Sequence, residues 1–461
     1  MTTVTVVRWP SRQSVHRGAR TSQNALPPWG LPEWFLIAQI VLPALLFLPG
    51  SQAFRLPIRI SAFSISLFAL GWWYTTAQKR LPHRAWPWLI ASLAYLALMI
   101  VHPTTNSFLA GFAQTMLYLS VLAPVFWLPG LIRDHQHLQR LLAILLVCNG
   151  INSIVGILQV YDPVRWLPQE FSSIVMAGPY GLNSVSYIGS DGQRIIRPPG
   201  LFDSPGAVAG PGMYAGLLGL IFYVRVTTVW QKAISLCFAF AGTVSIYLAQ
   251  VRTSILILAG MVLVFGGLLF IRKQKAKGIA FLTLAGVLGF AAFIYASSLG
   301  GQSISDRFST LFADQPITVY YDSHRGSQLE HALTHLLVDY PLGAGLGRWG
   351  MMRYYFGDAF NFNSPPIWAE LQIPAWILDG GAVLLVLYSC ALWVTAREEM
   401  RQTRMATDTE VQFWGCAVIA ANAGILALIF GFTPFTTQIG LQYWFLVASL
   451  HGAMHGRQRR P

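Results

Sequence analysis

Twelve apolar stretches recur along this chain, and each is long enough to cross about 30 Å of hydrocarbon as a helix. They run roughly over 31–49, 57–77, 85–102, 107–129, 138–160, 205–224, 233–250, 253–271, 278–298, 371–395, 411–433 and 437–454. Composition agrees with a lipid environment. Charged residues make up 11% of the 461 residues and AVILMFWYC residues 54%, where a soluble domain carries about a quarter charged residues. So little charge cannot cover that much apolar surface in water, so the expected fold class is an all-α polytopic membrane protein of about twelve transmembrane helices.

The 31 Lys and Arg against 18 Asp and Glu give a net charge of +13. In a soluble protein that excess would suggest nucleic acid, but no nucleic-acid-binding module is visible, and the basic residues fall in small clusters between apolar stretches. Such clusters mark the cytoplasmic side of membrane spans. With the N-terminus inside, 21 of the 31 basic residues are cytoplasmic: Arg8, Arg12, Arg17 and Arg20; Lys79, Arg80 and Arg84; Arg133 and Arg140; Arg225 and Lys232; Arg272, Lys273, Lys275 and Lys277; Arg397, Arg401 and Arg404; Arg457, Arg459 and Arg460. Both termini are then cytoplasmic, and 12 of the 18 acidic residues lie on the outer side. The first 30 residues hold four arginines and no long apolar core, which reads as a tail followed by an uncleaved anchor. The four cysteines all lie inside apolar stretches, so no disulfide framework is expected.

The organisation that follows is a cytoplasmic tail over 1–30, nine spans over 31–298 with an outer loop at 161–204, a large outer loop at 299–370, three spans over 371–454, and a cytoplasmic tail over 455–461. Connections this long in a compact protein are usually functional or disordered, so chemistry is expected on the outer face. Within the larger loop, Leu329, Ala332, Leu333, Leu336, Leu337 and Tyr340 follow helical spacing from Ser323 to Tyr340. Ser327 and Glu330 match a capping box, and Pro341 ends the run. This predicts an amphipathic helix lying on the outer leaflet.

The outward positions that could carry chemistry are Arg197 with nearby Arg194, Arg252, Arg325 and Glu370. Arg252 occupies a very short link between two spans, where a charge is costly unless it is paired or faces a wet cavity. A guanidinium matches phosphate oxygens bidentately and stabilises a departing diphosphate; the plain alternative is an arginine snorkelling to headgroups. Arg197 is equally placed to pair with Asp203, and Arg325 to cap its helix. Glu370, flanked by Trp368, Leu371 and Ile373, suits a general base acting on a sugar hydroxyl, or it is a carboxylate favoured at a helix N-terminus. Asp379, followed by two glycines, either lines a cavity or bonds to a neighbouring helix. The glycines of the sixth stretch (Gly206, Gly210, Gly212 and Gly216) permit close helix contact, and Pro211 permits a break.

Other matches carry less. GLGRWG at 345–350 fits a dinucleotide pattern, but no strand precedes it. His331 and His335 share a helix face without a third ligand, so no metal is expected. No GxSxG elbow or P-loop is present.

The order of these features resembles the superfamily of O-antigen ligases and Wzy-type polymerases of bacterial surface-glycan assembly, over roughly residues 190–395. RPPGLFDSPGAVAG is similar to its arginine-containing lead into a membrane helix, AQVRTSILILAGMVLVF to its short arginine turn and following helix, and HRGSQLEHALTHLLVDYPLGAGLGRWG to its outer helix ending in a proline and glycine-rich turn. In AELQIPAWILDGG, Glu370 stands where the family usually has a histidine, nine residues before an acidic residue and glycine. The resemblance implies a membrane glycosyltransferase of the bacterial inner membrane. It would use a polyprenyl-diphosphate-linked glycan donor and a glycan or lipid-linked acceptor, with no cofactor or metal. Glu370 and Arg252 would be catalytic, and Arg197, Arg325, Arg194 and Asp379 would bind substrate. The rival reading is a transporter of a lipid-linked or anionic substrate. Transporters, however, usually show internal repeats and midplane sites, and neither is evident.

Overall fold

The structure, a computed structural model, describes residues 28–48, 50–76, 80–171, 181–309 and 325–456. The N-terminal arginines, Lys79, Ser323 and the last basic cluster lie outside the described residues.

Among the described residues a helix occupies each of the twelve apolar stretches: α1 (Leu31–Val41), α2 (Arg55–Thr75), α3 (Trp86–Met99), α4 (Phe108–Leu122), α5 (His135–Tyr161), α6 (Ala209–Arg225), α7 (Val229–Ala249), α8 (Arg252–Ile271), α9 (Lys275–Gly300), α10 (Gln372–Met405), α11 (Thr409–Ala427) and α12 (Gln438–Gly456). Eight of these, counting the short continuations of α4 to Trp127 and of α11 to Phe430, are long and apolar enough to cross a membrane. Leu31–Phe47 and α3 are apolar but shorter. The chain is an all-α polytopic protein by the length and composition of its helices. Among the described residues the one sheet is a hairpin in the 161–204 loop, where β1 (Ser186–Ile188) pairs antiparallel with β2 (Arg194–Ile196); the turn between them carries Asp191 and Gly192.

Local sequence sets several helix starts. Ser107 Oγ accepts from Ala110 N at 3.1 Å, Asp134 Oδ1 from His137 N at 3.0 Å, and Asp408 Oδ1 from Glu410 N at 2.9 Å, each satisfying a backbone donor that the helix leaves open. The capping box expected at Ser327 and Glu330 does not form. The turn begins earlier, at Arg325, and passes through a π-helical segment, Ala332–Leu336, before ending at Asp339 ahead of Pro341.

The glycines of α6 serve close packing. A Cβ on Gly212 would meet Gly242 O of α7 at 2.7 Å, and one on Gly219 would meet Ser235 O at 2.5 Å, so the two backbones touch. Pro211 sits in the first turn of α6, where its missing N–H costs nothing, and no break follows it.

Polar contacts divide the bundle into two ends. At one end Glu33 of α1 pairs with His137 and Arg140 of α5, Arg225 of α6 with Glu410 of α11 at 2.5 Å, and Arg84 with Glu398 of α10 at 3.3 Å. At the other end Asp203 pairs with Arg55 and Arg59 of α2, and Arg325 with Glu370 at 3.6 Å.

At this second end α10 is interrupted. Gly380 is extended, and Gly381 has φ +60 and ψ −152. The segment after Pro341 docks across the break: Ala382 N donates to Pro341 O at 2.9 Å and Ala344 N to Leu378 O at 2.7 Å. Backbone groups freed by a break in apolar surroundings must find partners, and this segment supplies them. Its far side is pinned to the α3–α4 link, where Thr104 Oγ1 donates to Ala344 O at 2.7 Å and Leu346 N to Thr105 Oγ1 at 3.0 Å.

A Cβ on Gly381 would meet Pro341 O at 2.1 Å, whereas one on Gly286 of α9 meets nothing within 4 Å. Gly381→Ala is therefore expected to cost about 1–3 kcal/mol or more, seen as a lower thermal midpoint in detergent, while Gly286→Ala should leave the midpoint unchanged or raise it. A second expectation concerns His83, in the α2–α3 link. Burial lowers its pKa from 6.5 to about 4, with Glu398 acting in the opposite sense, and its Nδ1 accepts from Ala85 N at 3.2 Å. The unfolded chain binds this proton more readily, so the stability due to neutral His83 is complete above pH 6.5 and is lost as pH falls toward 4. The loss is up to about 3 kcal/mol; thermal midpoints across this range should flatten in His83→Gln.

Candidate functional site

A cavity of about 1000 Å³ opens at the second end, the upper part of the range for small-molecule sites. Its deep walls are apolar: Ile40 of α1 and Pro43 just after it, Phe63 of α2, Leu117 of α4, Met261 of α8 and Ile425 of α11. Its rim is basic. Among the described residues the wall carries four arginines, Arg59, Arg325, Arg348 and Arg353, against one carboxylate, Asp203.

Each of these charges is held by a different device. Asp203, in the turn before α6, is buried and bridges Arg55 and Arg59, with Arg59 Nη2 donating at 2.7 Å. Asp203 therefore ties α2 to the 200–206 segment rather than pairing with Arg197. Arg348 is 4% exposed and holds three backbone bonds, Nη1 to Ala344 O at 2.8 Å and Nε and Nη2 to Pro365 O at 3.1 and 3.0 Å. Burial lowers its pKa from the ordinary guanidinium range, yet it is bonded as a cation, and it binds the glycine-rich segment to the 365 loop. Arg325 Nη1 donates to Gly431 O at 2.6 Å and faces Glu370.

Glu370 sits at the cavity mouth, next to wall residues Trp368 and Ala369. Gln328 Nε2 and Trp368 Nε1 each donate to it at 3.2 Å, and Arg325 lies at 3.6 Å. Its surroundings are thus polar and hydrogen-bonding rather than partly apolar as its flanking residues suggested, because Leu371 is buried away from it.

Asp379 is not at the surface of the cavity. It is fully buried, accepting from Tyr118 OH at 2.7 Å, Gln114 Nε2 at 3.2 Å and Trp349 Nε1 at 2.8 Å. Of the two roles open to it, bonding to neighbouring elements is the one observed. It is a positioning residue, holding Gln114 and Trp349, which do line the cavity, on either side of the α10 break.

Arg252 begins α8, and its neighbours Val251, Thr253 and Ser254 enter the cavity wall, although its own side chain does not. Thr253 lies against Gly431, whose carbonyl receives Arg325: a Cβ on Gly431 would meet Thr253 Cγ2 at 3.2 Å. Arg197 is half-buried, and its guanidinium pKa is lowered by burial and by Arg307 and Arg252. Arg197 therefore stands within electrostatic range of both Arg307 and Arg252. Arg197 Nε is buried and makes no hydrogen bond among the described residues, an N–H facing no acceptor. Arg194, by contrast, is exposed on β2 and bonds Asn183, outside both groups. His331 and His335 lie with ring centroids 5.1 Å apart and tilted to one another, on an exposed face.

Arg59, Arg348, Arg353 and Trp349 were not among the candidates from sequence. One signal was available: in the sequence all five lysines fall in the clusters expected on the cytoplasmic side, and all ten basic residues outside those clusters are arginine. Arginine is the cation suited to planar, bidentate recognition of phosphate. No family model matches the chain, and no curated protein matches it.

If Asp379 is the knot that the contacts describe, Asp379→Ala leaves three buried donors unpaired, and a destabilisation of about 1–3 kcal/mol per unsatisfied group is expected. The measurement is a thermal midpoint. An unchanged midpoint with lost ligand binding would instead make Asp379 a ligand contact.

Proposed function

We propose that the protein is a membrane glycosyltransferase acting on a glycan carried by a polyprenyl diphosphate, at the outer face of the bacterial cytoplasmic membrane. The observation that carries this reading is the pairing, in one cavity, of an apolar interior with a rim of four arginines and one carboxylate. An amphipathic anion suits such a cavity better than a soluble nucleotide sugar does. The resemblance of residues 190–395 to the O-antigen ligase and polymerase superfamily supports the same substrate class. In this reading all twelve helices span, both termini are cytoplasmic, and the lysine-bearing end faces the cytosol.

The reaction would proceed by attack of an acceptor hydroxyl oxygen on the anomeric carbon of the donor. The bond from that carbon to the diphosphate oxygen breaks, and the lipid diphosphate leaves with the electron pair. Arg325 in the cavity wall would hold the diphosphate and stabilise the charge as it develops, and Arg252 and Arg197, which do not line the cavity, would add to the positive field there. Glu370 would take the hydroxyl proton. Its 3.6 Å approach to Arg325 would place base and anion binder on one substrate, so that positioning supplies much of the rate.

The alternative, a transporter of a lipid-linked or anionic substrate, draws on the broken helix α10, since broken helices frame many transporter sites. Here the break is filled by the chain's own 341–344 segment, which removes the backbone groups that such a site would use.

The test is transfer by purified protein in vesicles given lipid-diphosphate-linked glycan and no ion gradient. Wild-type protein should form new glycosidic bonds. Arg252→Ala should reduce turnover by at least about 10²-fold with normal folding. Glu370→Gln should do likewise while keeping donor binding, and Glu370→His should recover activity. Full activity in Arg252→Ala, or substrate movement without bond formation, would overturn the reading.

A further inference from the structure

The loop 357–369 between the short helix Gly350–Phe356 and α10 presents Phe360 and Phe362 at 82% and 84% exposure. Two phenyl rings held so far out of the fold are unusual for a loop in water. The loop is firmly tied down. Asn106 Oδ1 accepts from Asp358 N at 2.6 Å, Asn106 Nδ2 donates to Asp358 O at 3.1 Å and to Ser364 Oγ at 3.3 Å, and Asn361 Nδ2 donates to Asn106 O at 2.7 Å. The alternation Phe-Asn-Phe-Asn is therefore read in two directions: Asn361 bonds inward, and the phenylalanines on either side of it stand outward.

The tether fixes the level of the loop. Asn106 lies two residues before Phe108, the first residue of a helix long and apolar enough to cross a bilayer. Phe108 and Phe112, 72% and 44% exposed, stack with ring centroids 6.4 Å apart on its outer surface. A loop bonded to Asn106 stands where that helix leaves the hydrocarbon, and the exposed apolar surface of α4 continues into it.

We infer that Phe360 and Phe362 form a membrane anchor that inserts into the lipid leaflet at the cavity end, holding the cavity mouth at the bilayer surface. Aromatic side chains are suited to this interfacial depth. The same loop carries Pro365, to which Arg348 is bonded, and Trp368 at the mouth, so its depth sets the depth of the rim. The inference requires that α4 crosses the bilayer and is independent of the chemistry proposed above.

The experiment places a nitroxide label at Phe360→Cys and at Phe362→Cys, with Cys148, Cys237, Cys390 and Cys416 replaced by alanine, in vesicles of phosphatidylethanolamine and phosphatidylglycerol. Collision rates with oxygen, which concentrates in lipid, are compared with those of a water-soluble nickel chelate. Phe112→Cys serves as the lipid-facing reference, and Asp191→Cys, at the charged hairpin turn, as the water-facing one. Labels at 360 and 362 should favour oxygen, on the side of the Phe112 reference. Values matching Asp191 would overturn the anchor, and a water-facing label at 112 would remove its premise and the anchor with it. If the cysteine-free background does not fold, Phe362→Trp in native protein reads the same contact: brominated lipids should quench the added fluorescence, and an unquenched increment would refute insertion.

Discussion

A helix interrupted among apolar neighbours must have its open backbone groups bonded, and the cavity end of this protein is organised around meeting that requirement. Gly380 and Gly381 break α10, and the segment after Pro341 bonds across the break through Ala382 N and Leu378 O. Because that segment is held by α10 on one side and by Thr104 and Thr105 on the other, it places Arg348 and Trp349 without freedom to wander. Asp379 adds a second lock by accepting from α4 and from Trp349 at once. The irregular backbone at this depth is tolerated because it is buried in protein, and the wall of the cavity is its product.

The charges of this end are arranged on the same economy. Asp203 is shared between Arg55 and Arg59, Arg348 is satisfied by carbonyl oxygens that cancel no charge, and Arg197 shares its neighbourhood with Arg252 and Arg307. Fixing several guanidiniums close together costs free energy through their mutual repulsion. In the reading proposed above, an anionic ligand entering there would meet a positive field.

Much of the helical framework was legible in the sequence, because apolar runs of span length admit few structures. A helix lies in each such run, and the clusters of lysine and arginine mark one end of the bundle. What was not legible came from contacts distant in sequence. Arg59 meets Asp203 across 144 residues, and Asp379 meets Gln114 across 265; neither pairing leaves a local pattern. Glu370 was singled out by its position, but its polar surroundings come from Gln328 and Arg325 in a separate segment. The hairpin over 186–196 leaves only a local trace, Asp191 and Gly192 between two short apolar runs, a turn signature. Helix α10 extends to Met405, past the expected end near 395, because the residues from Arg397 onward are good helix formers and continue the helix beyond the apolar run.

The glycine contact between α6 and α7 has a mechanical side. With Gly212 against Gly242 and Gly219 against Ser235, main chain rests on main chain, and neither rod can roll or slip past the other without steric collision. The pair is a stiff strut behind the cavity. Any breathing that admits a bulky guest therefore falls to the opposite wall, where α1 relaxes into a 3-10 turn at Leu42–Phe47 and α2 meets the 200–206 segment through the shared carboxylate of Asp203.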